Sequence, residues 1–74
     1  MQKEDIVKKL KALAHLDIDA WHAYGQAIEK LDDAGVRLKF EKYRGDHERH
    51  VSEISELLRE LGAEPPEFSR DFKG

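Results

Sequence analysis

Residues 30–40 read KLDDAGVRLKF, and the fold turns on how they are read. Ala34-Gly35 reads as a helix stop, with Gly35 free to take the left-handed conformation of a C-terminal cap. Before it, apolar residues recur at Ile6, Leu10, Leu13, Ala14, Ala20, Trp21, Tyr24, Ala27, Ile28 and Leu31. That is the i, i+3, i+4, i+7 spacing of an amphipathic helix, and it predicts one from about Lys3 to Asp33. After it, Val36, Phe40, Tyr43, Val51, Ile54, Leu58 and Leu61 form a second stripe and predict a helix from about Val36 to Leu61. Gly62 ends that helix and Pro65-Pro66 forbid its continuation. No stretch alternates with the period of a strand. The link between the helices is too short for anything but an antiparallel hairpin. The expected architecture is all-α: a helical hairpin over residues 1–62, then a Pro-containing tail over residues 63–74. In that tail Phe68 and Phe72 stand at i, i+4, the spacing of a further helix beginning there.

A chain of 74 residues makes one small domain. Folding buries only about 60% of the surface that such a chain exposes when unfolded, so a disulfide, a metal or a second subunit usually supports it. The chain has no cysteine, which removes disulfides and thiolate metal sites. A long two-helix hairpin cannot cover its own apolar stripes, because each helix has a single neighbour. Two hairpins face to face make a four-helix bundle, so a homodimer or higher oligomer is expected.

Charge narrows the partners. Asp and Glu outnumber Lys and Arg by 16 to 13, with a net charge of −3. The basic residues are interleaved with acids, which is no footprint for nucleic acid. No apolar run approaches the roughly 18–20 residues of a membrane span, and MQKEDIVKK has no signal-peptide apolar region. The expectation is a cytoplasmic protein with no membrane partner.

Helical projection at about 100° per residue sets Asp17 about 20° from Tyr24, inside the apolar stripe of the first helix. On the second helix, Phe40, Val51, Ile54 and Leu58 lie within about 40° of His47, and His50 stands about 60° to one side. Counting outward from the turn, Asp17 falls level with His47 and His50. A carboxylate and two imidazoles in a core need partners, and these three are each other's nearest candidates. They make an N/O donor set suited to Fe, Zn, Mn or Cu. Across a twofold axis, two such sets would meet at the bundle centre and hold up to two metals. The competing reading is a metal-free Asp–His hydrogen-bonded layer, completed by Tyr24 and Tyr43, in a non-catalytic dimerisation module.

Other features have plainer readings. His15, Asp19 and His22, at i, i+4, i+7 on the outer face of the first helix, have a spacing able to hold a surface ion, though such clusters are common by chance. Trp21 is a core or dimer-interface aromatic. Gly25 and Gly45 mark close helix approach or a mild bend, and the mixed charges from Arg37 to Arg49 a solvated face. Ser52, Ser55 and Ser69 have no base placed to activate them.

HLDIDAWHAYGQAIEKL at 15–31 and FEKYRGDHERHVSEISELLRELGAEPP at 40–66 together resemble the first helical hairpin of ferritin-like domain proteins. In that superfamily the first helix carries a carboxylate ligand seven residues before an aromatic. Asp17 and Tyr24 match, with Asp where Glu is usual. The second helix carries Glu-x-x-His. His50 matches the His, and His47 occupies the Glu position, which removes the carboxylate that commonly bridges two irons. The resemblance implies iron bound by Asp17, His47 and His50, with a mononuclear or weaker site favoured over a di-iron one, and Zn or Mn as other occupants. It also implies a ferroxidase-like oxidation of Fe(II), or iron storage, as the activity to test. Full ferritin-like bundles have two more helices. Either dimerisation supplies them, or the natural chain continues past Gly74.

Overall fold

The computed structural model describes residues 2–68. Two helices, α1 (Lys3–Lys30) and α2 (Ala34–Glu60), pack against each other as an antiparallel hairpin, and there is no strand among the described residues. The fold is thus all-α, as expected.

The turn forms differently from the expectation at Gly35. Helix α1 ends at Lys30, and Leu31 takes an extended backbone at φ −86°, ψ 131°. Asp33 then caps α2: the Val36 N–H donates to its carboxylate at 3.0 Å and the Arg37 N–H to its carbonyl at 3.0 Å. The first bond satisfies one of the orphan donors at the helix start, and the second is the first bond of the helix itself. Gly35 belongs to the first turn of α2, and a Cβ there would stand 3.2 Å from the capping Oδ1 of Asp33. Its role is room for the cap. The left-handed glycine is Gly62, at φ 78°. The Gly62 N–H donates to Arg59 O at 3.0 Å and the Ala63 N–H to Leu58 O at 2.8 Å, the paired bonds of a Schellman stop.

The buried line of α1 is Ala14, Ile18, Trp21, Gly25 and Ile28, and that of α2 is Val51, Ser55 and Leu58. On α2 the expectation holds for Val51 and Leu58. On α1 it needs correction, because Ile18 is buried whereas Leu13, near the middle of the expected stripe, is 51% exposed. The cause is the breadth of the apolar arc. At about 100° per residue it runs from Ile18 through Trp21, Ile28 and Tyr24 to Leu13 and Leu16, about 200° in all. One neighbouring helix covers about half of that. Helix α2 takes the half centred near Ala14 and Trp21, and the rest forms a flank on which Leu13, Tyr43 and Leu57 remain exposed.

The opposite flank is partly covered. After the turn at Gly62 the chain doubles back, so that Pro65, Pro66 and Phe68 line a pocket of about 240 Å³ with Val51, Ser52, Ser55 and Arg59. The Phe68 ring meets Trp21 edge to face, 5.2 Å between centroids. Over the indole lies the Arg44 guanidinium, 3.7 Å from the ring centroid. Trp21 is therefore a core residue, and Arg44 an exception to the solvated face expected from Arg37 to Arg49. Gly25 permits this close packing, since a Cβ there would come within 2.8 Å of Arg44 Nη2. Gly45 has open space around it, so close helix approach does not explain it. Phe72, and the further helix expected near it, lie outside the described residues.

Candidate metal centre

Helix α1 contributes Asp17 and α2 contributes His47 and His50, one turn apart. The levelling expected from the turn is what the structure has: His47 Nδ1 lies 2.7 Å from Asp17 Oδ1, and His50 Nδ1 lies 3.6 Å from the same oxygen. With the proton on Nδ1, His47 donates to the carboxylate, and its Nε2 is then an acceptor. Against that imidazole lies Tyr24, stacked at 5.6 Å and 26°. The Tyr24 ring in turn meets Phe40 edge to face at 5.5 Å. Ring packing therefore fixes the His47 plane, in place of the tyrosine hydrogen bond that the sequence suggested.

Burial is graded across the trio. The Asp17 side chain is 16% exposed, that of His47 30% and that of His50 50%. These side chains stand on the open flank, not in the line between α1 and α2. His50, expected to face inward at the edge of the stripe, is exposed. The reason is the offset of α1's buried line from Tyr24: the trio faces the side where the hairpin has no second layer.

The donors suit a cation. One oxygen from Asp17 and one nitrogen from each histidine all lie within 4.8 Å of one another. Neighbouring ligands on an ion with bonds of about 2.1 Å sit about 3.0–3.4 Å apart. The two separations from Asp17, 2.7 and 3.6 Å, bracket that range, and the two histidine nitrogens would settle into it from within 4.8 Å of each other. Two neutral imidazoles and one carboxylate leave a divalent ion with one net positive charge, the balance of a mononuclear site. No other His/Asp/Glu trio of this kind occurs among the described residues. His15, Asp19 and His22 do not converge in this way. His15 and Asp19 are exposed, and His22 turns toward Trp21, 5.1 Å between ring centroids, with its Nδ1 buried.

Arg44 is the site neighbour that the sequence reading missed. Trp21 lies four residues after Asp17, and Arg44 three before His47. The levelling that joined Asp17 to His47 thus also joins Trp21 to Arg44.

The fold and site together define a two-helix hairpin with one Asp–His–His cluster on an uncovered flank. Residues 5–74 match the family described as "Domain of unknown function (DUF2383)", and the chain belongs to it. No curated protein and no solved structure matches the chain. Among the described residues no helix is long and apolar enough to cross a membrane.

Proposed function

We propose that this domain binds a divalent transition metal, iron first, through Asp17, His47 and His50, within a four-helix bundle formed by two copies. The observation that carries this reading is the convergence of three donor atoms within 4.8 Å from two helices. A two-His, one-carboxylate set with remaining positions open is the donor pattern of non-haem Fe(II) sites, and Zn and Mn are the competitors. The resemblance to ferritin-like hairpins supports iron and a role in Fe(II) oxidation or storage. The 200° apolar arc of α1 supports a second layer, because its middle points about 60° away from α2 and toward the trio's flank.

When bound, the ion supplies Lewis-acid and redox chemistry. The chain's own parts do the rest. Asp17 provides the compensating charge, Tyr24 holds the His47 ring, and His50, half exposed, is the ligand at the solvent edge. Leu13 and Leu57 exclude water from the flank once a second layer covers them.

A second reading has its own observation. The 2.7 Å bond between Asp17 and His47 satisfies both groups without any ion, so the trio could serve as a polar layer that sets the register of a helical dimer. Metal per chain, measured by elemental mass spectrometry on iron-grown protein never exposed to a nickel column, separates the two. A ratio of about one-half to one iron per chain is expected. Near-zero metal after anaerobic Fe(II) loading would leave the polar layer as the function of these residues.

A further inference from the structure

We infer that two copies pair head to tail through the open flank, and that the metal is the clasp of this pair. The inference rests on the metal reading above and adds the orientation of the pair and its control by the ion.

Position comes first. Helix α1 is 28 residues long, so Asp17 opens its second half, and α2 is 27 residues long with His47 at its centre. The trio therefore sits at the midpoint of the hairpin. Two copies related by a twofold axis perpendicular to their length can overlap completely and still bring both trios face to face. Two carboxylates and four imidazoles would then share one centre, each copy completing the other's ligand set.

Full overlap is also possible with the copies side by side and pointing the same way, and surface chemistry separates the two arrangements. Beyond its apolar stripe, the flank of α1 is mostly apolar, with Ala12, Leu16, Ala20, Ala23 and Ala27 around its middle and Lys9 and Asp5 toward its N-terminus. Beyond Tyr43 and Leu57, the outer edge of the matching flank of α2 carries charges on both sides of the midpoint. Lys42 stands five residues before His47 and Glu53 six after it, about 20° apart around the helix; Glu53 also lies 3.8 Å from Arg49 of its own helix. Next to the centre, Asp46 and Arg49 are one before and two after, already bonded within the helix at 3.1 Å. Head-to-tail pairing sets α1 against α1 and α2 against α2 in opposite directions. Alanine then meets alanine, and Lys42 meets Glu53 of the other copy. Pairing in the same direction would press the alanine flank of α1 onto the charged flank of α2. Electrostatic complementarity of this kind fixes orientation more than it adds affinity. The flank is also large enough: the molecule measures 47 × 22 Å across its two broad axes, against the roughly 800 Å² per partner that a stable interface buries.

Charge exchange, distance and metal dependence test the inference on the full chain, with circular dichroism confirming that each variant folds. Lys42→Glu alone and Glu53→Lys alone should each weaken pairing about tenfold by analytical ultracentrifugation, and the double variant should return to within about threefold of the parent. Additive weakening in the double variant would overturn the head-to-tail register. The chain has no cysteine, so Asp32→Cys carries a single nitroxide at the turn. Head-to-tail copies place the two labels about 40–45 Å apart, one helix length, while a separation under about 20 Å would overturn the orientation. Zn(II) alone is the metal probe. It should tighten pairing at least tenfold over EDTA, and His50→Ala should remove that response while keeping the long label distance. Zn(II) held by a monomer would overturn the pairing and leave the metal reading standing. A long label distance with no Zn(II) bound would overturn both the clasp and the metal reading, and leave the head-to-tail pair. A chain that is monomeric in all conditions would assign the flank to a different occupant and overturn the inference.

Discussion

Asp17→Ala separates the two roles that the Asp17 carboxylate could have, because the metal-free and metal-loaded proteins respond to it differently. Without metal, the substitution removes the 2.7 Å bond to His47. A hydrogen bond to a charged group contributes about 1.5–3 kcal/mol when well buried. Here the side chains are 16% and 30% exposed, so water replaces part of the loss and the cost falls to about 1 kcal/mol. For a domain of this size that lowers Tm by about 4–8 °C. With Zn(II) at a hundredfold excess over its Kd, a site that binds only the folded state stabilises it by about 2.7 kcal/mol, more than 10 °C by the same scale. The wild-type protein should show this rise and Asp17→Ala should lose it. The assay is thermal unfolding by circular dichroism at one fixed protein concentration, with EDTA or with Zn(II), since association also moves Tm. An equal metal-induced rise in the variant would refute the ligand role of Asp17. A metal-free loss well above 10 °C would show that the carboxylate is a structural core group instead.

The other predictions concern the scaffold. Leu58 is fully buried, and Leu58→Ala should cost about 2–5 kcal/mol in urea unfolding. Asp33→Ala removes the cap of α2 and should cost about 1 kcal/mol, read the same way. Gly45→Ala places a methyl group in open space in a helix interior, and should raise stability by about 0.5–1 kcal/mol. Gly25→Ala has the same helix gain but pushes the Arg44 guanidinium off Trp21. The cation–π contact contributes about 0.5–2 kcal/mol, so the net change should lie near zero or below, with a shift in Trp21 fluorescence reporting the displacement.

Much of this molecule was legible because its signals are periodic. The apolar spacing marked both helices, Gly62 and the two prolines marked the end of α2, and counting from the turn brought Asp17 level with the histidines. What failed was local chemistry at the link and direction around α1. Gly35 and Asp33 both lie in residues 30–40, and either could have governed the turn. The side-chain acceptor of Asp33 prevailed because helix donors need partners whichever residue supplies them. The direction failed because a projection finds the middle of an apolar arc, whereas burial in a hairpin depends on where its single neighbour lies. Leu13 and Ile18 exchanged roles for that reason, and His50 became exposed. Arg44 was obscured by residue type: a guanidinium that packs on an indole has the same letter in the sequence as one in solvent.

The fold-back at Gly62 makes the hairpin one-sided. A helical pair with both flanks bare offers two equivalent sticky surfaces, and copies joined through both would add without limit, the geometry of an open filament. Pro65, Pro66 and Phe68 occupy one of those surfaces with the chain's own residues. If two copies pair as proposed through the surface left over, the contact is isologous and terminates at two. Six residues of irregular chain after a left-handed glycine thus leave one bare flank for that pairing instead of two.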